Sequence, residues 1–140
     1  MNVLVAAFRS DHPHHGAARN WLAQARLACA AGQDSLRVLP MVIIGFLRLV
    51  TNSRIFAEPD SIEDALSFAQ SLLATPGIEL APCGAEWPLL REKLRERSLT
   101  GNKIPDAWIA ACVEHLDEHL VTFDRDFRTL LGAKAHTVLT

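Results

Sequence analysis

Apolar positions recur along the chain with two different periods. After an opening apolar run, Val3 to Phe8, the residues Ala17, Ala18, Trp21, Leu22 and Ala25 return at helical spacing and predict a helix over about residues 14–29. Asp11-His12-Pro13 just ahead of it is a start signal, because Asp can cap free amides and Pro suits a first turn. A loop at residues 32–35 precedes a short β-like run at 36–39. Pro40 then opens a segment with Ile43, Phe46, Leu47 and Val50 on one helical face, ending at Thr51-Asn52-Ser53. Ser61 with Asp64 makes a capping-box-like start for a helix striped by Ala65, Phe68, Ala69 and Leu72, which Pro76-Gly77 stops.

The second half repeats the alternation. Residues 78–81 read as a strand. Trp87, Leu90 and Leu94 stripe the next helix, whose other face is charged. A polar loop at 98–103 leads to Pro105, placed for the first turn of a helix that runs to about Leu116. Residues 120–123 form a third strand, Asp124-Arg125-Asp126 a turn, 127–131 a short helix and 136–139 a fourth strand. Short apolar strands alternating with helices predict an α/β fold with a parallel sheet. Neither a repeat nor a linker interrupts the pattern, so residues 1–140 read as a single domain.

Composition narrows the function classes. With 140 residues, 49% hydrophobic and 21% charged, the chain has enough apolar residues for one core. Fourteen Lys and Arg against 16 Asp and Glu leave a formal charge of −2, so no broad basic field advertises a polyanion partner. Such a partner must be held by a local patch or by metal ions. Cys29, Cys83 and Cys112 form no C-x-x-C pair, which argues against a disulfide framework and a zinc knuckle and points to a reducing cytosol. The apolar stretch at 36–50 is broken by Arg37, Pro40, Gly45 and Arg48, well short of a bilayer span.

Ligands of open parallel sheets collect where strands end and helices begin, and two such junctions carry carboxylates. Asp106 falls in the first turn of the helix after Ile104-Pro105. Asp124 follows the strand at 120–123, with Asp126 two residues on. Hard oxygen ligands of this kind suit Mg²⁺ or Mn²⁺ and suggest metal-assisted phosphodiester hydrolysis. The same residues also fit a structural role: Asp106 as a helix-start charge, Asp124 and Asp126 as an Asx-type turn. Spacing leaves both readings open.

The segments Gly101-Asn102-Lys103-Ile104-Pro105-Asp106-Ala107, Leu120-Val121-Thr122-Phe123-Asp124-Arg125-Asp126-Phe127 and Asn2-Val3-Leu4-Val5-Ala6-Ala7-Phe8 resemble, in order, the motifs of the PIN-domain family. Gly45-Phe46-Leu47-Arg48-Leu49-Val50-Thr51-Asn52-Ser53-Arg54-Ile55-Phe56, with Asp11-His12-Pro13-His14-His15, resembles a VapC-type toxin subgroup common in actinobacteria. The resemblance implies a cytoplasmic, metal-dependent endoribonuclease toxin of a type II toxin-antitoxin pair. Such an enzyme cleaves transfer or ribosomal RNA to 5'-phosphate and 3'-hydroxyl ends, inhibits translation and growth, and is restrained by a VapB-type antitoxin. It also implies a homodimer and no membrane partner. Asp106, Asp124 and Asp126 would hold Mg²⁺ or Mn²⁺, Asn2 would orient the site as the Asn of the opening Asp-x-Asn motif, and Thr122 would support the last acids. Among the basic and polar residues, Asn102, Lys103, Arg125 and Arg128 are the expected RNA contacts, with Arg48 and Arg54 as further phosphate-binding candidates.

Two departures accompany the resemblance. The leading Asp of Asp-x-Asn falls one position ahead of Met1, and the strand that it ends is missing from the chain as read. The expectation is therefore a PIN-like three-layer domain, a short parallel sheet flanked by helices, without its first strand. Each buried backbone group stranded by that loss costs about 1–3 kcal/mol, against a domain stability of about 5–15 kcal/mol. The cellular protein is accordingly expected to start several residues upstream; the rival expectation is a truncated or impaired module that binds antitoxin or RNA without cleavage. The second departure is Gly45, where many family members carry a Glu, so Asp126 is expected to compensate. His12, His14 and His15 read as exposed or capping residues rather than a metal site, and Trp21, Trp87 and Trp108 as core.

Overall fold

Five consecutive buried side chains, Val3 to Ala7, make the opening run a helix apolar on every side, α1 (Asn2–Phe8). It packs against α2 (His15–Ala30) and α3 (Pro40–Val50). The computed structural model describes residues 1–140 as two compact units, Met1–Pro82 with Thr140 and Cys83–Leu139. In the first, β1 (Leu36–Val38) runs parallel to β2 (Ile78–Leu80) in the register Leu36 to Ile78 and Val38 to Leu80. Between them lie α3 and α4 (Ile62–Ala74), the helical crossover that parallel strands need.

The core of this unit is aromatic at its centre. Phe46, fully buried, meets the ring of Phe8 edge-on at 5.4 Å between centroids and that of Phe68 at 5.4 Å. Arg9 is buried at its margin. Its guanidinium donates to both carboxylate oxygens of Asp11, at 2.9 and 2.6 Å, and to Asp60 at 2.8 Å, while stacking over the Phe56 ring at 3.8 Å. These bonds correct the expected start of α2. Asp11 is engaged by the guanidinium fork instead of capping, Pro13 lies before the helix, and the N-cap is His14.

Other signals act as expected. Ser61 Oγ accepts the Asp64 N–H at 3.1 Å, capping α4. Gly77, just past that helix, has φ +81°, and a Cβ there would lie 2.8 Å from the Cys29 carbonyl oxygen. Gly77→Ala is therefore expected to cost about 1–3 kcal/mol in urea denaturation, since both the backbone conformation and the contact resist it.

The second unit places α5 (Trp87–Glu96) on α6 (Lys103–His115), with Leu90 buried against Ala107 and Ala111. Trp87, expected in the core, is 59% exposed: it stands at the first position of α5, one turn ahead of Leu90. Trp108 is also partly exposed, and Trp21 is half-buried. β3 (Leu120–Thr122) pairs in parallel with β4 (His136–Val138), joined by α7 (Phe127–Leu130) and one 3-10 turn, Ala133–Ala135. The expected parallel strands are thus present as two two-stranded pairs, one per unit. No helix is long and apolar enough to cross a membrane.

Candidate metal centre

The end of β3 sets the site. Thr122 is buried in register with Val138, and its carbonyl accepts the Leu139 N–H at 2.8 Å. Its hydroxyl accepts the Asp124 N–H at 3.0 Å, which turns the chain sharply as it leaves the strand. Asp124 Oδ1 in turn accepts the Asp126 N–H at 2.8 Å, the Asx turn that spacing allowed. One hydroxyl and one carboxylate oxygen therefore fix the backbone that carries both acids.

Asp106 reaches the same place from α6. That helix begins at Lys103, two residues earlier than the Pro105 signal suggests, with Asn102 as N-cap. Pro105 sits within the first turn, where its missing N–H is harmless. Asp106 is half-buried in that turn. Burial raises its carboxyl pKa most, the charge of Asp124 raises it further, Lys103 opposes, and Asp126 adds to the rise. The three carboxylates thus share one electrostatic neighbourhood.

Lys103 faces these acids. Its ammonium donates to Asp126 Oδ2 at 3.2 Å, and that bond, with the charges of Asp126, Asp106 and Asp124, holds its pKa above the usual lysine value. The pair is exposed on both sides, so solvent screens it and it is easily opened. Of the other expected RNA contacts, Asn102, Arg125 and Arg128 are exposed beside the acids in sequence. Arg48 and Arg54 are exposed in the first unit, where Asn2 also lies, half-buried at the start of α1.

The histidine cluster has local roles. His12 Nδ1 is 3.1 Å from the His14 N–H, which donates to it, and His15 Nδ1 is 2.8 Å from the Ala6 carbonyl. At Gly45 the room for a side chain is taken by Met1: a Cβ would lie 2.6 Å from the Met1 Sδ. Position 45 supplies no carboxylate. Sequence reasoning missed Glu86, buried at the N-cap of α5, because its burial depends on Trp108 and Cys112, which spacing alone does not bring to it.

Asp106, Asp124 and Asp126 offer hard oxygen, the donor type that suits a cation such as Mg²⁺, and Asp106 titrates high first because it is buried and then because Asp124 and Asp126 add negative charge that Lys103 opposes. A consequence follows for the metal-free chain. A carboxyl whose pKa is raised on folding adds most stability below its unfolded value, ordinarily 3.8, and loses it as pH rises through the folded value. In EDTA at neutral pH, Asp106→Asn is expected to raise Tm by on the order of a few degrees, with the gain vanishing toward acid pH. An unchanged or lower neutral Tm would contradict the electrostatic account.

The PIN domain family profile matches residues 1–130, and the chain belongs to that family. Its relatives include Ribonuclease VapC25 of Mycobacterium tuberculosis strain ATCC 25618 / H37Rv, 37% identical over 128 residues, covering 91% of this chain and 87% of that protein. Ribonuclease VapC31 of the same strain is 37% identical over 127 residues, 90% of this chain and 87% of the relative. Ribonuclease VapC43, again from that strain, is 34% identical over 128 residues, 91% and 84%.

Proposed function

We propose that residues 1–140 act as one PIN-like domain, a Mg²⁺- or Mn²⁺-dependent endoribonuclease toxin of the VapC type. The carrying observation is the turn after β3, which Thr122 and Asp124 fix by accepting the Asp124 and Asp126 N–H groups, and whose Asp126 accepts from Lys103 at the start of the helix that carries Asp106. Relatedness over nine-tenths of the chain to proteins named ribonucleases supports the reaction class.

Asp106 and Asp124 would hold the cation, with Asp126 binding directly or through water. Thr122 holds the turn that presents Asp124, and Asp124 holds the amide of Asp126. When bound, such an ion supplies positive charge to the scissile phosphate and acidifies water, which three carboxylates alone do not. Lys103, freed from Asp126, would pair with a non-bridging phosphate oxygen, and Arg125, Arg128 and Asn102 would grip the RNA backbone on either side. The part given to Asn2 rests on its motif. With no carboxylate at position 45, Asp126 takes a larger share of the charge.

A VapB-type antitoxin is the proposed partner, with transfer or ribosomal RNA as substrate and a homodimer as the working form. Exposed Leu27 and Ile44, at 72% and 64%, give the first unit apolar surface on which a protein partner would gain contact area. Inducing the chain in a bacterial host tests this reading. Growth arrest is expected, relieved by the small protein encoded beside it and absent for Asp106→Ala. Arrest that persists in that variant would sink the reading.

A further inference from the structure

A second cluster of metal-ligating atoms lies in the second unit, made of residues that the nuclease reading does not use. The donor atoms of Cys83, Glu86 and Cys112 all lie within 4.8 Å of one another. Glu86 is 4% exposed, and a carboxylate buried so deeply needs donors around it. Among them, Trp108 Nε1–H donates to Oε1 at 2.6 Å, and the Gly84 N–H donates to Oε2 at 2.6 Å. Cys112, 1% exposed, places its sulfur beside both the Glu86 carboxylate and the Cys83 sulfur. Cys83 is exposed, which gives an ion a way in.

We propose that Cys83, Glu86 and Cys112 bind a thiophilic divalent cation of the Zn²⁺ class, with water as the fourth ligand. Two sulfurs and one carboxylate oxygen are a donor set that selects such an ion over Mg²⁺, whereas Asp106, Asp124 and Asp126 offer only hard oxygen. Bonds of about 2.3 Å to sulfur and 2.0–2.2 Å to oxygen in a tetrahedron need ligand atoms roughly 3.5–3.8 Å apart, so small side-chain rotations close the present spacing. On binding, each thiol passes its proton to solvent as its sulfur–metal bond forms, while Glu86 coordinates as the carboxylate it already is. The Trp108 and Gly84 bonds orient that carboxylate and hold it while the ion is exchanged.

The ion clasps two elements. Cys83 precedes α5, Glu86 is its N-cap, and Cys112 lies on α6, six residues after Asp106 and about 9 Å along the helix axis. Its role is therefore to fix the helix that presents an acid of the nuclease centre. The proposal stands on the thiol–carboxylate geometry whether or not the chain cleaves RNA.

Titration of the reduced chain with Co²⁺ alone tests it. A thiolate-to-cobalt charge-transfer band is expected that Zn²⁺ displaces and that the Asp106→Asn/Asp124→Asn double variant retains, saturating in that variant at one ion per chain. Cys83→Ser, at an exposed position, is expected to keep its far-ultraviolet circular dichroism and lose the band by at least tenfold at equal Co²⁺. Alkylation of Cys83 by iodoacetamide should slow correspondingly when Zn²⁺ is present. Absence of the band in the wild-type chain, or its survival in Cys83→Ser, overturns the proposal. Loss of two titratable thiols in air, with no band in the reduced chain, overturns it in favour of a Cys83–Cys112 disulfide.

Discussion

Asp124→Asn is expected to lower RNA cleavage by at least about 100-fold while leaving the fold intact. The substitution is chosen because Asp124 has two duties. Its Oδ1 accepts the Asp126 N–H, and an Asn side chain keeps that acceptor, so the turn after β3 survives. What disappears is the negative charge that raises the Asp106 pKa and would bind a cation. Cleavage of a defined RNA under single-turnover conditions, alongside circular dichroism, separates the two duties. Full activity in the Asn variant would assign Asp124 to the turn alone. Asp124→Ala, by contrast, also removes the turn acceptor and adds a stability loss of about 1 kcal/mol.

The largest expected effect on stability lies in the first unit. Phe46→Ala empties the place where the rings of Phe8 and Phe68 converge, at a site with no solvent access. Loss of transfer free energy plus the residual cavity predicts about 3–5 kcal/mol, a large part of a domain stability of about 5–15 kcal/mol. In urea the midpoint should fall with little change in slope. A loss below about 1 kcal/mol would mean that the neighbouring rings collapse into the space.

These two residues also mark what was legible in the sequence. Phe46 sat in a 3.6-residue stripe with Ile43, Leu47 and Val50, and periodicity placed it in α3 and in the core. The Ser61 cap and the Pro76-Gly77 stop were readable because one local bond or one φ angle decides each of them. Asp11 misled for the complementary reason. Its short-range potential as a cap was outcompeted by Arg9, a buried guanidinium that also binds Asp60, 51 residues away from it in sequence. Trp87 misled because an apolar stripe says which face is inward but not how far along the helix the packing partner extends.

The acids were legible as residue types at strand and helix junctions, and the motif resemblance joined them. Their mutual influence was not, since Asp106 comes from α6 and Asp124 from the end of β3. The Lys103–Asp126 pair and the Cys83, Glu86, Cys112 cluster were invisible for the same reason: each depends on segments far apart in sequence. The absence of a C-x-x-C pair argued against a zinc knuckle built from neighbouring cysteines. It says nothing about donors assembled by the fold.

The central claim is that the three acids work by holding a divalent cation against RNA. Its most direct test is cleavage of a total-RNA pool by the purified chain, first in excess EDTA and then after Mg²⁺ or Mn²⁺ is restored. The account predicts no cleavage in EDTA, recovery with either ion, and fragments ending in 5'-phosphate. Equal cleavage in EDTA, or none after restoration by a folded chain, would contradict it.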